Sequence, residues 1–241
     1  MKSAIGIIPA RYGSKRFPGK PLAPILGKPL IQRVYERSLQ AESLSRVVIA
    51  TDDERIFKAS KAFGASVEMT SPLHVSGTAR VAEVARRSEA DIVVNIQGDE
   101  PLIMGEMVDS LVHALDDDSV PMATLYIKEY DRRCAQDPNI VKVTRDSRGN
   151  ALYFSRSPIP YGTHECFLRH IGLYGYQKDF LLCYESLGRG ELEKAENLEQ
   201  LRALENGYRI KLIETRCSTL SVDTPDDILK VENLLKKGSN D

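Results

Sequence analysis

The feature that most constrains this chain is a short apolar run near its start that leads directly into a basic, glycine-containing loop. Residues 4–8 are apolar at consecutive positions, which predicts a strand that is buried on both faces and stops at Pro9. The cationic residues of the following loop are Arg11, Lys15, Arg16 and Lys20. No acidic residue precedes Glu36. At the carboxyl end of a parallel strand such a loop predicts a polyphosphate-binding site, with a solvated basic loop as the alternative.

The loop is not the P-loop of ATPases. A P-loop has four residues between its first glycine and its Gly-Lys pair, followed by a Ser or Thr that holds magnesium. Here five residues separate Gly13 from Gly19, and Lys20 is followed by Pro21. Because proline offers neither a hydroxyl group nor an N–H group, ATPase-type phosphoryl transfer is disfavoured, whereas phosphate binding is not.

Composition narrows the class of protein further. The 241 residues are 42% apolar, enough for a substantial core, and the formal net charge is only -1. A strongly basic surface for nucleic acid or membrane headgroups is therefore not expected. The sequence has no apolar run approaching the ~20 residues of a membrane span, and it reaches Pro9 and Arg11 too early for a signal peptide. We predict a cytoplasmic protein without membrane insertion and without a nucleic-acid partner.

The four cysteines do not form a recognisable framework. They are widely scattered, without a C-x-x-C pair, at Cys134, Cys166, Cys183 and Cys217. A disulfide scaffold or a structural zinc site would need closer and more regular spacing. We predict ordinary reduced thiols.

The first half of the chain alternates between predicted strands and helices. The predicted strands are 4–8, 47–50, 66–69 and 92–96, and the predicted helices are 30–41, a helix from Glu54 that Asp52 or Asp53 caps and Gly64 ends, and one from Ser76 or Thr78. This rhythm predicts an α/β fold with a mostly parallel sheet and helices on both faces.

The rhythm changes after residue 120. Strand-like runs at 122–127, 140–144, 152–154 and 169–176 are joined by polar turns, which predicts antiparallel additions to the sheet. Residues 190–207 read as one long helix with an acidic exposed side, and 210–213 as a last strand. Thr224 and Pro225 then predict the start of a terminal helix that runs to about Lys236. With no visible linker, we predict one domain over 1–241 with an excursion around 122–205.

Two aspartates are candidate metal ligands. Asp99 follows the predicted strand at 92–96, and Asp223 comes just before the terminal helix. If the strands that precede them are parallel neighbours, both carboxylates open into the crevice that holds the basic loop. Magnesium prefers a few carboxylate oxygens together with substrate phosphates. The alternatives are a Gly-Asp turn at Asp99 and helix capping by Asp223.

A second group of residues could line a pocket for an acidic substrate. Arg156 lies between a predicted strand and Pro158, where its guanidinium could hold a carboxylate, with a surface ion pair as the alternative. His170 and Tyr174 would share one face of a strand, although a lone histidine is more often structural. For Glu196, Glu199 and Gln200 composition alone cannot separate a site from a solvated helix face. No Ser-His-Asp arrangement can be defended.

Taken in order, several segments closely resemble one enzyme family. They are 7–22 (IIPARYGSKRFPGKPL), 74–78 (HVSGT), 95–103 (NIQGDEPLI), 151–161 (ALYFSRSPIPY), 169–176 (RHIGLYGY), 198–207 (LEQLRALENG) and 222–228 (VDTPDDI). The combination covers nearly the whole chain and resembles the 3-deoxy-manno-octulosonate cytidylyltransferases, the CMP-Kdo synthetases of Gram-negative lipopolysaccharide synthesis. This resemblance implies a Rossmann-like three-layer α/β/α sandwich of the nucleotide-diphospho-sugar transferase type. It also implies a homodimer, with sugar binding and dimerisation in the excursion.

The resemblance also implies roles for individual residues. The residues that match the CTP-binding positions are Arg11, Ser14, Lys15, Arg16 and Lys20 for the triphosphate and Ser76, Gly77 and Arg80 for the base. The residues that match the sugar-acid pocket are Gln97, Arg156, His170, Tyr174, Glu196, Glu199 and Gln200. Asp99 and Asp223 match the magnesium ligands, and Arg11, Lys20 and Asp99 are the implied catalytic residues. The chain departs from the family pattern at Val75, Ala79, Lys194 and Ser221, which bears on sugar specificity and not on the type of reaction.

The reaction that the resemblance implies is transfer of CMP from CTP to Kdo, with release of pyrophosphate and with Mg²⁺ as the metal. Two alternatives remain at this point. One is a related cytidylyltransferase acting on 8-amino-3,8-dideoxy-octulosonate or on a sialic-acid-type substrate. The other is a non-catalytic nucleotide-binding protein, which the presence of Asp99 and Asp223 disfavours.

Overall fold

A computed structural model describes residues 2–13, 16–162 and 166–237. The strands of this part of the chain are β1 Ala4–Ala10, β2 Pro24–Ile25, β3 Lys28–Pro29, β4 Arg46–Thr51, β5 Val67–Met69, β6 Ile92–Asn95, β7 Met122–Glu129, β8 Lys142–Arg145, β9 Ala151–Ser155, β10 Phe167–Gln177 and β11 Ile210–Glu214. Its α-helices are α1 Leu30–Ser38, α2 Glu54–Ala62, α3 Gly77–Arg86, α4 Gly105–Ala114, α5 Arg132–Gln136, α6 Lys178–Tyr184, α7 Glu191–Glu196, α8 Leu201–Glu205 and α9 Pro225–Lys237.

The central sheet has the strand order β11-β7-β10-β6-β1-β4-β5. Successive residues of β1 point to opposite faces, so Ile7 packs with residues of α3, α6 and α8, whereas Ile8 packs with residues of α1, α4 and α9. Because both faces are covered, β1 can be apolar at consecutive positions, as the sequence predicted. The prediction of a three-layer α/β/α fold with a mixed, mostly parallel sheet is confirmed.

The predicted end of β1 at Pro9 is wrong, because the strand continues to Ala10. Pro9 and Ala10 pair with β4, whereas the pairing of β1 with β6 ends at Ile7 and Asn95. The Ile7 carbonyl accepts from the amide of Ile96 on the β6 side, so the nitrogen of Pro9, two residues on, faces the same side. Since β6 has ended there, the missing N–H group of proline costs no ladder hydrogen bond.

The second half of the chain adds the antiparallel part of the sheet. β10 runs antiparallel to β6, to β7 and to β8, and β8 pairs antiparallel with β9. The predicted antiparallel additions are confirmed, although β7 is parallel to its other neighbour, β11. Assignment of the whole chain to one domain stays a prediction.

The long helix predicted over 190–207 is wrong. The segment forms two short helices, α7 and α8, separated at Asn197, which has φ 52° and ψ 48°. Asparagine tolerates this left-handed conformation better than most residues, so it ends α7 and turns the chain. The turn allows the buried side chain of Leu198 to enter the core and places Glu199 and Gln200 outside the regular part of a helix.

The terminal helix begins as predicted. Pro225 is its first residue, and the carboxylate of Asp227 accepts hydrogen bonds from the amide and the hydroxyl group of Thr224 at 2.9 Å each. This capping arrangement satisfies an amide that the helix leaves unpaired. Within the described ranges, no helix combines the length and the apolar character needed to cross a bilayer.

Candidate active site

Two clefts meet beyond the carboxyl ends of β1 and β6. One, the basic cleft, has a volume of about 750 Å³ and contains most of the residues predicted to bind the nucleotide. The other, the wide cleft, has a volume of about 1050 Å³ and lies between β10, the segment before α9 and residues 137–141. The two clefts share a boundary formed by Arg16, Gln97, Asp99 and Asp223.

Close backbone approach brings the two loops of the basic cleft together. A side chain at Gly98 would place its Cβ only 2.9 Å from the carbonyl oxygen of Pro9, so only glycine allows the loop after β6 to lie against the end of β1. The predicted residues that line this cleft are Arg11, Arg16, Lys20, Ser76, Gly77, Arg80, Gln97, Asp99, Glu199 and Asp223. Ser14 and Lys15, which were also predicted, lie outside the described residues.

The base of the basic loop is closed by its own contacts. Gly19 has φ 75° and donates its amide hydrogen bond to the carbonyl of Tyr12 at 2.9 Å. The ring of Tyr12 packs against Gly19 on one side, while the guanidinium of Arg55 lies 3.3 Å from the ring centroid. This cation–π contact fixes the start of the loop, while the side chains of Arg11 and Arg16 are exposed.

Asp99 and Asp223, the two predicted metal ligands, lie side by side. The ammonium of Lys20 is 2.7 Å from Asp99 Oδ2 and 3.6 Å from Asp223 Oδ1, and Arg16 is 2.8 Å from the same Asp223 oxygen. One cation thus bridges both carboxylates. Asp99 Oδ2 and Asp223 Oδ1 cannot be farther apart than the sum of their two distances to the Lys20 nitrogen. Such a separation is compatible with one shared ion, bound directly or through bridging water.

The predicted reason for this proximity is wrong. The strand before Asp223 is β11, which lies at the edge of the sheet and is separated from β6 by β7 and β10. Asp223 reaches the site because residues 215–224 run back across the sheet without regular structure, and the amide of Val222 donates to the carbonyl of Asp99 at 2.9 Å.

The donor set suits magnesium. Among the described residues, no group of three His, Cys, Asp or Glu side chains could by itself hold a metal ion. Two carboxylates beside a cationic loop match the usual arrangement for Mg²⁺, which takes one or two carboxylates and completes its shell with water and substrate phosphates.

The residues predicted to contact the base are at the start of α3. Ser76 is the N-cap of α3, and its hydroxyl group accepts from the amide of Ala79 at 3.1 Å. Arg80 is buried, donates to the hydroxyl group of Thr70, and lies 2.9 Å from Asp52. Its guanidinium is therefore held in place by protein groups while it lines the basic cleft.

His170 and Tyr174 share one face of β10, as predicted, with ring centroids 5.4 Å apart. Two extra residues between Ile171 and Tyr174 bulge out of the pairing with β7, which keeps both rings on that face. His170 Nε2 lies 3.0 Å from the hydroxyl group of Thr124.

Burial lowers the pKa of His170 to about 3, so the ring is neutral at physiological pH. Burial raises the pKa of Tyr174, so its phenol keeps its proton. Both residues line the wide cleft.

Glu199 and Gln200 carry buried polar atoms without a partner. Glu199 Oε1 and Gln200 Nε2 make no hydrogen bond within the described part of the protein, although both are shielded from solvent. They adjoin a small polar cavity of about 100 Å³ between the two clefts. Burial raises the pKa of Glu199. Since buried polar groups are normally paired, these atoms indicate a place for a ligand or ordered water.

Arg156 and Glu196 lie behind the wide cleft and line neither cleft. The guanidinium of Arg156 donates to the carbonyl groups of Glu196 at 2.8 Å, Pro138 at 2.8 Å and Asn197 at 3.4 Å. The carboxylate of Glu196 accepts from the Ser155 hydroxyl at 2.7 Å and from the Arg156 amide at 2.8 Å. In this arrangement the two residues join β9 to the turn at Asn197.

Sequence reasoning missed three charged residues at or behind the wide cleft. Glu100 and Arg169 line it, and the buried ammonium of Lys142 donates to the carbonyl groups of Asp137, Ile140 and Arg156 behind it. Glu100 has its pKa raised to about 7 by burial and by the neighbouring charge of Asp99. The sequence did offer a signal for Glu100, which is a charged residue directly after Asp99. It offered no signal for Lys142, because the groups around Lys142 come together only in the tertiary structure.

The fold and the paired clefts define the chain as a nucleotidyltransferase-type α/β protein. Residues 5–212 match the Cytidylyltransferase family model. A curated 3-deoxy-manno-octulosonate cytidylyltransferase from Solibacter usitatus is 52% identical to this chain, over 98% of this chain and 95% of the relative. A second one, from Syntrophotalea carbinolica, is 50% identical, over 97% of this chain and 99% of the relative. A CMP:2-keto-3-deoxy-manno-octonic acid synthetase solved in complex with CTP superposes with a TM-score of 0.93 at 45% identity, covering 98% of this chain and 99% of that one.

The chain belongs to the 3-deoxy-manno-octulosonate cytidylyltransferase family, and the resemblance read from its motifs is confirmed.

Proposed function

We propose that this chain transfers CMP from CTP to the anomeric hydroxyl group of 3-deoxy-manno-octulosonate, giving CMP-Kdo and pyrophosphate. The observation that carries the proposal is the shared boundary of the two clefts. A cationic loop borders one cleft, neutral aromatic and amide groups border the other, and two carboxylates lie between them. A reaction that joins a nucleotide to a second substrate requires this arrangement, because the reacting atoms must meet at the boundary.

The basic cleft is the proposed CTP site. Arg11, Arg16 and Lys20 face the space where the β- and γ-phosphates would lie, and they would neutralise the charge that develops on pyrophosphate as it leaves. Ser76 and Gly77 lie at the amino end of α3, where the backbone can read a pyrimidine base at close range. Together these contacts support binding of a cytidine triphosphate.

The wide cleft is the proposed Kdo site. The neutral His170, the phenol of Tyr174 and the buried amide of Gln200 offer uncharged hydrogen-bonding groups for sugar hydroxyls, and Gln97 lies at the boundary. In the proposed step the anomeric oxygen attacks the α-phosphorus in line. The bond from that phosphorus to the bridging oxygen breaks, pyrophosphate leaves, and the hydroxyl proton passes to water.

Asp99 and Asp223 are the proposed magnesium ligands. Bound Mg²⁺ would lower the pKa of the attacking hydroxyl group and offset charge on the phosphates. Asp99 and Asp223 would hold the ion at the boundary, while Lys20, whose ammonium lies between their carboxylates, would bind the triphosphate.

Pyrophosphate release tests the reaction directly. The purified protein should release pyrophosphate with CTP and Kdo, and much more slowly with ATP or GTP. A panel containing Kdo, 8-amino-3,8-dideoxy-octulosonate and a sialic acid identifies the acceptor, and preference for another sugar acid would overturn the assignment of Kdo. Asp99→Asn and Asp223→Asn should each reduce turnover by orders of magnitude while CTP binding, measured by calorimetry, changes much less.

A homodimer and a cytoplasmic location complete the proposal. The excursion exposes the apolar side chains of Tyr130, Leu152 and Tyr161, which supports an interface in that region. All four cysteines are free thiols, which supports a reducing compartment. Sedimentation equilibrium would measure the mass of the assembly, and a monomer at micromolar concentration would contradict the dimer.

A further inference from the structure

Residues 215–224, which we call the Asp223 segment, carry a proposed metal ligand without the support of a helix or strand. The segment leaves β11 at the edge of the sheet and ends at α9. Ordering an irregular segment costs backbone entropy, so individual contacts must hold it in place. Those contacts decide where Asp223 lies.

Some of these contacts are made with the loop that carries Asp99, and the amide of Asp223 itself donates to Asp227 Oδ2 at 3.1 Å. Val222 donates to the Asp99 carbonyl at 2.9 Å, and the hydroxyl group of Ser221 donates to Glu100 Oε1 at 3.1 Å. Further back, Arg169 donates to the carbonyl of Thr219 at 3.1 Å. The loop that supplies one carboxylate of the proposed site thus also anchors the segment that supplies the other.

Glu100 is unusual among these residues. Its Oε2 atom is buried and makes no hydrogen bond within the described residues. Burying a carboxyl group that is only partly paired is costly, so its presence here needs an explanation. Its Oε1 atom accepts a hydrogen bond from the hydroxyl group of Ser221, two residues before Asp223, and Thr219 of the same segment also interacts with this carboxyl group.

We propose that Glu100 is a positioning residue that holds the Asp223 segment, through Ser221, so that Asp223 lies beside Asp99. Magnesium requires oxygen ligands at close to 2.1 Å in near-ideal geometry, so a small displacement of Ser221 would remove Asp223 from the coordination shell. The proposal rests on the proposed function, since it gives Asp99 and Asp223 a common role. Glu100 itself does not contact the reacting atoms in this arrangement.

Two substitutions test the link from opposite sides. Ser221→Ala and Glu100→Ala should each speed amide hydrogen exchange in the Asp223 segment, including the amide of Val222. Each should also raise the dissociation constant for Mn²⁺, measured by electron paramagnetic resonance with CTP present, by about tenfold, the effect of losing one hydrogen bond that positions a ligand. The KM for CTP should change little while kcat falls. Glu100→Gln keeps an oxygen that can accept from Ser221, so slow exchange should return.

A matched control uses Ser43, whose hydroxyl group donates to Asp109 at 2.5 Å and which, like Asp109, lines neither cleft. Ser43→Ala should leave exchange in the Asp223 segment and Mn²⁺ binding unchanged. The double variant Glu100→Ala/Ser221→Ala should show no faster exchange and no weaker Mn²⁺ binding than Glu100→Ala alone. The reason is that both substitutions remove the same hydrogen bond.

Unchanged exchange in the Asp223 segment of both single variants would overturn the proposal, as would failure of Glu100→Gln to restore it. Hydrogen exchange reports on the segment whether or not Kdo is the acceptor. A failed sugar panel therefore rejects the proposed function separately from this link.

Discussion

At the scale of single residues, the structure separates side chains that line a cleft from those that hold its walls in place. His170 and Arg156 were both predicted for the sugar pocket, yet only His170 lines the wide cleft. The guanidinium of Arg156 donates hydrogen bonds to three carbonyl groups behind that cleft. The charge of a residue is visible in the sequence, whereas the groups that already satisfy it are not.

Arg156→Ala should therefore affect both stability and sugar binding. Losing hydrogen bonds to the carbonyl groups of Pro138, Glu196 and Asn197 should lower the free energy of unfolding by about 1–3 kcal/mol. Displacement of the adjacent cleft wall should raise the KM for Kdo, while the KM for CTP stays near that of the unmodified protein. Urea unfolding and steady-state kinetics measure the two effects. A raised KM for Kdo with unchanged stability would instead indicate direct contact with the sugar carboxylate.

His170 should remain neutral well below neutral pH. Its folded-state pKa of about 3 lies below the ordinary value of 6.5, because burial disfavours the charged ring. The unfolded state therefore takes up a proton first, so this contribution to stability is present above pH 6.5 and is lost as the pH falls from there toward 3. Histidine NMR titration should show no His170 transition between pH 7 and 5. His170→Asn assigns the resonance and should reduce the loss of stability over that range, and a transition near 6.5 would contradict the prediction.

At the scale of elements, runs of consecutive apolar residues predicted β1, β4 and β6 of the parallel half of the sheet, because these strands are buried on both faces. Caps were equally visible, since Asp53, Ser76 and Thr224 act through residues close by in sequence. The two short helices at 191–205 were not predictable from their pattern, because only one residue in the left-handed conformation separates them. The position of Asp223 was also beyond sequence reasoning, since it depends on contacts between residues more than 100 positions apart.

Substitution at Asn197 tests the break between α7 and α8. Asn197→Ala should lower the free energy of unfolding by about 1–2 kcal/mol, since alanine pays a steric cost at φ 52°. Asn197→Gly is the matched control and should be close to neutral, because glycine adopts this conformation freely. Chemical denaturation measures both. Equal stability of the two variants would show that the left-handed turn does not constrain the segment.

At the scale of the whole molecule, the site depends on elements from both ends of the chain. Lys20 comes from the loop after β1, Asp99 from the loop after the central strand β6, and Asp223 from the segment before α9. The ammonium of Lys20 lies between the carboxylates, at the place that we propose for magnesium. A nucleotide that attracts Lys20 would therefore prepare the metal site, which couples the two binding events in both directions.

Lys20→Met should tighten metal binding to the nucleotide-free protein. An ammonium within 4 Å of a carboxylate contributes about 4 kcal/mol at an effective dielectric constant near 20, so its removal should lower the Mn²⁺ dissociation constant at least about tenfold. The same variant should bind CTP more weakly and lose most of its turnover, because the triphosphate no longer has that cation. Lys58→Met is the matched control, since Lys58 lies on the exposed side of α2 and, among the residues that the structure describes, forms an ion pair with Glu54 alone, at 3.6 Å. This substitution should change neither constant. Adding Asp99→Asn to Lys20→Met should abolish the gain, which locates the ion between these carboxylates. If Lys20→Met leaves Mn²⁺ affinity unchanged, Lys20 does not compete with the metal, and the coupling between nucleotide and metal must arise elsewhere.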